Sequence, residues 1–372
     1  MEENEMHELL PAIDTDICIE CGKCQKICPI LNPAEFHVPF EVFAARSNDK
    51  NDAFSGASGG IATTLYKEGL KEEFYIAGAI QNEDFSVCLD VGNNKELIER
   101  FKNSKYVFSS AYSLYPRLAA LLKQGIKVIV VGLPCQIAAI RKLFGDNSNL
   151  LLIDLVCHGT TPLAYLQQHI QAIEKDMGQT AVKMYFRDPY AYTYTYTFTL
   201  YNNLGERFYA KRTKEGEAYQ YGYHRAITYR ENCYHCPFAC NKRVGDLSLA
   251  DYPGLGRITP FPYDSKFINC VLVNTPKGKD CIRNLVNKKV ITAYQRPIEE
   301  PIKYNRQLRT HVEKSVLRLE FERVMKANGS DFERAITPLM NKGLRKEKIN
   351  QLLHFPLSLA GKVKGTIKNL IK

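Results

Sequence analysis

The run C-x2-C-x2-C-x3-C-P, formed by Cys18, Cys21, Cys24 and Cys28 ahead of Pro29, is the most chemically specific spacing in this sequence. Three thiolates on a short, glycine-containing loop can grip three corners of a [4Fe–4S] cube, and the proline ends the run. Zinc sites draw instead on two separated pairs, which makes zinc the poorer occupant. In proteins with two such runs the fourth cysteine serves the other cluster, and this sequence holds one run. Two candidates for a fourth ligand stay open: Cys28 closing the site locally, or a downstream thiol such as Cys240.

A second group of thiols lies further along. Cys233 and Cys236 form a CxxC pair in CYHCPFAC, and a pair of thiolates chelates soft metals or does redox chemistry. A four-ligand site needs two more thiols from elsewhere. Cys135 in GLPCQ and Cys157 in LVCHG meet that need, because each follows an apolar, β-branched run (IKVIVVGL and LLIDLV) that reads as a buried parallel strand. Ligands collect at strand ends in open α/β sheets, so Cys135, Cys157, Cys233 and Cys236 are expected to converge on one iron–sulfur cluster. The competing reading is two core thiols plus a zinc knuckle. His224 lies ahead of the pair and His235 inside it; both could be ligands or proton carriers, but lone histidines of this kind more often read as surface or packing residues. Cys88, Cys270 and Cys281 carry no motif and read as core thiols.

The elements that must position these groups read as follows. The segment LNPAEFHVP is a linker. EVFAARS is a strand, and SGASGGIATTLYKEG is a small-residue turn opening a helix, capped by Ser58. Strands follow at 74–80 and 86–91, helices at 95–103 and 115–124, then the two strands that end at Cys135 and Cys157 with a helix at 137–144 between them. Beyond His158, residues 162–175 read as a helix. The pattern TYTYTYTFTLY, NNLG, ERFYAKR reads as a hairpin with an aromatic face, and GDLSLADY as a strand bounded by Asp246 and Asp251. Residues 297–372 read as charged helices interrupted at Pro301, Pro338 and Pro356. The fold class is α/β (α+β overall). A ferredoxin-type segment spans 1–38, a core follows in parts 39–155 and 156–300, and a helical basic tail covers 301–372.

Bulk composition narrows the function classes. The chain has 372 residues, 45% hydrophobic and 24% charged, enough to bury a core. No apolar run approaches the ~20 residues of a membrane span, and the acidic start MEENEMHELL lacks a signal-peptide pattern. Twelve cysteines in such a chain argue for ligands rather than disulfides, and for the reducing cytoplasm. The net charge of +10, concentrated in 342–372 and 211–214, suits an anionic cofactor or acidic redox partner. It comes with no nucleic-acid motif.

The order of CxxCxxCxxxCP, SGASGGI, SKYVFSS, GLPCQIAAIRKLFG, LVCHGTTP, FRDP and CYHCPFACNKRVGDLSLADY resembles the family of coenzyme F420 hydrogenase/dehydrogenase beta subunits, a group of flavin and iron–sulfur oxidoreductases. The resemblance runs from about residue 13 to 254. It implies that Cys135, Cys157, Cys233 and Cys236 are cluster ligands, and that Ser58, Gly59, Gly60, Lys105, Tyr106 and Ser109 help form an FAD site. It further implies hydride transfer between a reduced deazaflavin-type donor and FAD, then one-electron transfer through [4Fe–4S] clusters to a redox partner protein. No side chain is required as an acid or base. Many relatives carry two ferredoxin runs, and here MEENEMHELLPAID resembles the linker between them. An iron–sulfur carrier subunit without flavin is the alternative.

Overall fold

The computed structural model describes residues 1–191 and 196–353. Fourteen strands are present among them: β1 (Glu2–Glu3), β2 (Leu9–Leu10), β3 (Glu41–Ser47), β4 (Tyr75–Gln81), β5 (Val87–Gly92), β6 (Ser109–Ser110), β7 (Val128–Gly132), β8 (Leu150–Leu155), β9 (Lys183–Tyr185), β10 (Thr197–Tyr201), β11 (Arg207–Arg212), β12 (Leu247–Asp251), β13 (Asn269–Val273) and β14 (Ile291–Arg296). The helices are α1 (Lys23–Ile27), α2 (Lys50–Ser55), α3 (Ile61–Lys71), α4 (Glu96–Phe101), α5 (Leu114–Lys123), α6 (Pro134–Phe144), α7 (Leu163–Met177), α8 (Ala218–His224), α9 (Pro276–Asn287), α10 (Glu299–Tyr304), α11 (Val316–Ala327) and α12 (Phe332–Leu353). The fold is mixed α/β.

Nine strands form one sheet in the order β14-β3-β13-β12-β8-β7-β4-β5-β6. The expected units 39–155 and 156–300 both contribute strands to it. At its centre β4, β7, β8 and β12 run parallel. Helices cover both faces, which is why Val128–Gly132 is buried at every position rather than at alternate ones. Ile129 and Val131 pack with Leu65, Ile282 and Leu285 on one side. Val128 and Val130 pack with Leu114, Leu118, Ile137 and Ile140 on the other.

A second, three-stranded sheet, β11-β10-β9, packs with α7, α8, α11 and α12 around Tyr165, Phe186, Phe198, Tyr219 and Phe332. The segment expected as a tail therefore supplies core: Phe321, Met325, Ile336 and Leu339 are buried here. Pro338 lies inside α12 and does not interrupt it. Part of the period-two run (192–195) and the tail from 354, with Pro356, lie outside the described residues.

Two expected linkers are docked. Residues 31–39 are held by reciprocal backbone bonds between His37 and Arg243 (2.7 and 2.8 Å) and by stacking of Phe36 on Phe238. The start MEENEMHELL, expected as a linker, forms the β1–β2 hairpin and is pinned to the body. Apolar contacts and satisfied backbone groups hold both segments, and neither shows up as local periodicity.

Candidate functional site

The site forms at the carboxyl edge of the parallel strands, where three separate chain segments deliver thiols. Cys135 follows β7 in the first turn of α6. Pro134 starts that helix, and the Gln136 side chain accepts the Leu133 N–H at 2.9 Å, fixing its entry. A thiol there faces the positive end of an eleven-residue helix. Cys157 follows β8, its thiol directed at the Gly159 carbonyl (3.8 Å). Gly159 has φ +145°, and a Cβ there would sit 2.4 Å from the Tyr229 ring, so the chain turns closely past that ring only because the residue is glycine.

Cys233 lies within a short 3₁₀ turn, Glu231–His235, and Cys236 caps its C-terminal end. Tyr234 anchors it inward: its hydroxyl donates to the Ala226 carbonyl at 2.7 Å, and the Arg318 guanidinium lies 5.1 Å from its ring. His235 points outward, 74% exposed at its side chain. Thr160 Oγ1 lies 3.8 Å from Cys233 Sγ, and the Arg230 N–H donates to the Thr160 carbonyl at 2.8 Å. These contacts tie the CxxC turn to the segment after Cys157.

Burial raises the pKa of all four thiols. Cys135 is open to solvent on one side, yet the walls around it desolvate its thiol; with the charges of Cys233 and Cys236, this pushes its pKa up to about 12. Burial, then Cys233, Cys135 and Cys236, hold Cys157 well above the usual thiol range. Burial also raises Cys236, with Cys233 adding to the effect. Cys233 is raised by burial, opposed by Thr160 and Arg230 and reinforced by Glu8.

No group of three or more His, Cys, Asp or Glu among the described residues could hold a single metal ion. A cube takes one thiolate at each of four irons, so its ligands stand further apart than those of one ion. A donor set of four sulfurs without a carboxylate fits an iron–sulfur cluster.

Cys240, the open candidate for the N-terminal run, directs its thiol to the carbonyls of Lys242 (3.2 Å) and Pro237 (3.6 Å) within its own loop. Cys18, Cys21 and Cys24 are exposed and Cys28 is half-buried. They surround α1, which buries no residue and lies against α6. Cys270 is buried in β13, whereas Cys88 and Cys281 are half-buried.

The expected flavin residues divide. β3 runs in the direction of β12, since both are antiparallel to β13, so the SGASGG turn after it shares the sheet edge with Cys157. Within that turn Ser58 donates to the Ile268 carbonyl at 2.8 Å and does not cap α3, whose N-cap is Gly60 in the left-handed region. A Cβ on Gly59 would meet the backbone of Ala45, Asn269 and Phe267 at 2.7–2.8 Å, so that glycine serves packing. Lys105 donates to the carbonyls of Lys102 (2.9 Å) and Asn103 (3.4 Å); burial, then Arg100, lowers its pKa to about 7. The buried Ser109 contacts Gln136. Tyr106 stacks on Tyr223 at 4.5 Å, and Tyr223 meets Tyr229 at 5.3 Å. That pile of rings ends beside Cys233.

Around Tyr106 stand groups that the motifs did not single out as a set. Tyr196 contacts His224 (4.1 Å), and the Arg187 guanidinium lies 5.1 Å from the Tyr196 ring. Arg187 pairs with Asp251 at 3.0 Å. Desolvation, then His158 and Arg187, drives the His224 pKa down to about 4. Burial lowers His158 against the opposing pull of Asp251.

Arg243 was also missed, though it lies inside a quoted motif. It is fully buried and pairs with Asp154. It donates to the carbonyls of Phe238 (3.2 Å) and Cys240 (3.3 Å) from one nitrogen and to that of Leu155 (3.3 Å) from another. One guanidinium thus ties the loop after Cys236 to the strand before Cys157.

The carboxyl edge of the parallel strands thus gathers thiols, aromatic rings and basic groups. Residues 125–298 match the family described as the C terminus of the coenzyme F420 hydrogenase/dehydrogenase beta subunit. A coenzyme F420-dependent sulfite reductase of Methanocaldococcus jannaschii is 36% identical over 130 residues, 33% of this chain and 20% of that protein. One subunit of the F(420)H(2) dehydrogenase of Methanosarcina mazei is 29% identical over 151 residues, 38% of this chain and 41% of that protein. The chain thus spans less than half the length of either relative. It also superposes on a chain of the F420-reducing [NiFe] hydrogenase complex from Methanosarcina barkeri at TM-score 0.48 and 19% identity, over 80% of this chain and 90% of that one. Among the described residues no helix is long and apolar enough to cross a membrane.

Proposed function

We propose that the chain is a cytoplasmic iron–sulfur flavoprotein oxidoreductase. It would take hydride from a reduced deazaflavin-type donor and pass single electrons to a redox partner protein. The observation that carries this reading is geometric: Cys135 and Cys157 follow the adjacent parallel strands β7 and β8, and Thr160, just past Cys157, lies 3.8 Å from Cys233 of the CxxC turn. When bound, FAD supplies a two-electron acceptor that releases electrons singly, and a [4Fe–4S] cluster supplies a one-electron carrier. The four thiolates would hold the cluster, with Gln136 and Arg243 fixing the segments that carry them. Tyr106, with Lys105 and the Ser58–Gly60 turn, would border the flavin. Cys18, Cys21, Cys24 and Cys28 would hold a second cluster beside α6, on the way to the partner.

A second reading, an iron–sulfur electron-transfer subunit without flavin, is favoured by one observation: Ser58, Gly59 and Ser109 are engaged in internal packing and hydrogen bonds.

The deciding assay is iron, acid-labile sulfide and flavin per chain in anaerobically purified protein. About eight irons with one FAD supports the enzyme with two clusters. Iron without FAD, after flavin is offered, selects the carrier reading. Neither iron nor flavin after reconstitution overturns both.

A further inference from the structure

The first ten residues reach the CxxC turn directly. The Glu8 side chain is 3% exposed, and its carboxylate accepts the backbone N–H of Glu231 at 2.6 Å, across 223 residues of sequence. Glu231 opens the 3₁₀ turn that carries Cys233, and its N–H is a donor that the turn itself leaves without a partner. The carboxylate supplies from a distant segment what an N-cap supplies locally.

Glu8 is itself held. Its N–H donates to the Asn4 side chain at 2.9 Å. The neighbouring Leu9 carbonyl accepts from Arg230 at 2.7 Å, and the Met6 carbonyl accepts from Tyr165 at 2.9 Å. The arm's other end is fastened near α12, where Ser330 Oγ donates to the Glu5 carbonyl at 2.9 Å.

A neutral side chain could accept the Glu231 N–H equally well. Burying a carboxylate for that purpose is costly unless its charge is used. Here the charge lies within electrostatic reach of Cys233, opposed by Arg230.

We propose that Glu8 is a positioning residue for the Cys233–Cys236 turn, and that its carboxylate sets the charge environment of the group those thiols hold. The inference rests on the cluster reading above. A fixed negative charge beside a cluster disfavours adding an electron, so Glu8 holds the reduction potential low.

The test uses the full chain with Cys18, Cys21 and Cys24 changed to serine, so that only the central site can carry a cluster. Glu8→Gln keeps an acceptor for Glu231 and removes the charge; Glu8→Ala removes both. Reconstituted protein is titrated by EPR-monitored reduction, and cluster-free protein is examined by amide hydrogen exchange over residues 229–238.

Glu8→Gln is expected to keep its iron, leave exchange close to the parent's and move the cluster midpoint to a more positive potential. Glu8→Ala is expected to speed exchange at Glu231 and Cys233 and to lower iron retention. An unchanged midpoint in Glu8→Gln overturns the charge role, and unchanged exchange in Glu8→Ala overturns the positioning role. A parent that takes up no iron would instead mean that the cluster reading has failed, and the exchange comparison still decides whether Glu8 positions the turn.

Discussion

Gln136 and Ser109 bind the two sides of the candidate site together: the Gln136 amide nitrogen donates to both the carbonyl (3.0 Å) and the hydroxyl (2.9 Å) of Ser109. Its amide oxygen meanwhile accepts the Leu133 N–H. One buried side chain therefore sets the start of the helix bearing Cys135 and the end of the SKYVFSS segment bearing Tyr106. Gln136→Ala would leave buried polar groups on both segments without partners and cost about 1–3 kcal/mol. Chemical denaturation should record this as a lower midpoint, with reduced iron retention in the reconstituted protein.

Arg243→Met should be among the most damaging single changes, on the order of 3–5 kcal/mol, because it strands the buried Asp154 carboxylate. Arg243→Lys should recover only part of that loss, since one ammonium cannot reach the carbonyls of Phe238, Cys240 and Leu155 together. A Lys variant as stable as the parent would show that charge alone matters here.

Stability should fall toward alkaline pH through His169. This ring lies between Glu217 and Glu333, 2.5 Å from each. Burial lowers its pKa, but Glu217 and then Glu333 overcome this and raise it to about 9. A raised folded pKa contributes stability that is complete below the unfolded value near 6.5 and is lost as pH rises through 9. The full contribution is on the order of 3 kcal/mol. Thermal melts from pH 6 to 10 should slope downward in the parent and less steeply in His169→Gln. Equal slopes would remove His169 as the cause.

Gly59→Ala separates packing from flavin binding. A methyl group at 2.7 Å from the Ala45 carbonyl oxygen and the Asn269 nitrogen must displace backbone in the chain with no cofactor bound. The melting temperature of flavin-free protein should therefore drop. If flavin-free protein keeps its melting temperature and only FAD uptake suffers, the glycine serves the cofactor instead.

Much of this architecture was legible in the sequence. IKVIVVGL and LLIDLV are apolar apart from Lys127 and the buried Asp154, because both faces of β7 and β8 are covered, and that marks them as central parallel strands with Cys135 and Cys157 at their ends. The thiols themselves were legible because few other residues have their chemistry. What holds them in place was not. Glu8, Gln136 and Arg243 act through single contacts with distant backbone, and no periodicity records a hydrogen bond across 223 residues. The same reason explains why 31–39 and MEENEMHELL read as linkers although both are docked. The Ser58 cap was misjudged, because Ser58 donates to the distant Ile268 carbonyl while Gly60 takes the N-cap position.

The position of β3 bears on how the chain assembles during synthesis. β3 emerges early, yet both of its neighbours, β13 and β14, lie more than two hundred residues downstream. Until they arrive, EVFAARS has hydrogen-bonding edges and an apolar face with no native partner, and closing so long a loop is slow. The nascent chain must wait with that edge open, which makes it the natural place for a chaperone to bind and for aggregation to begin when none does.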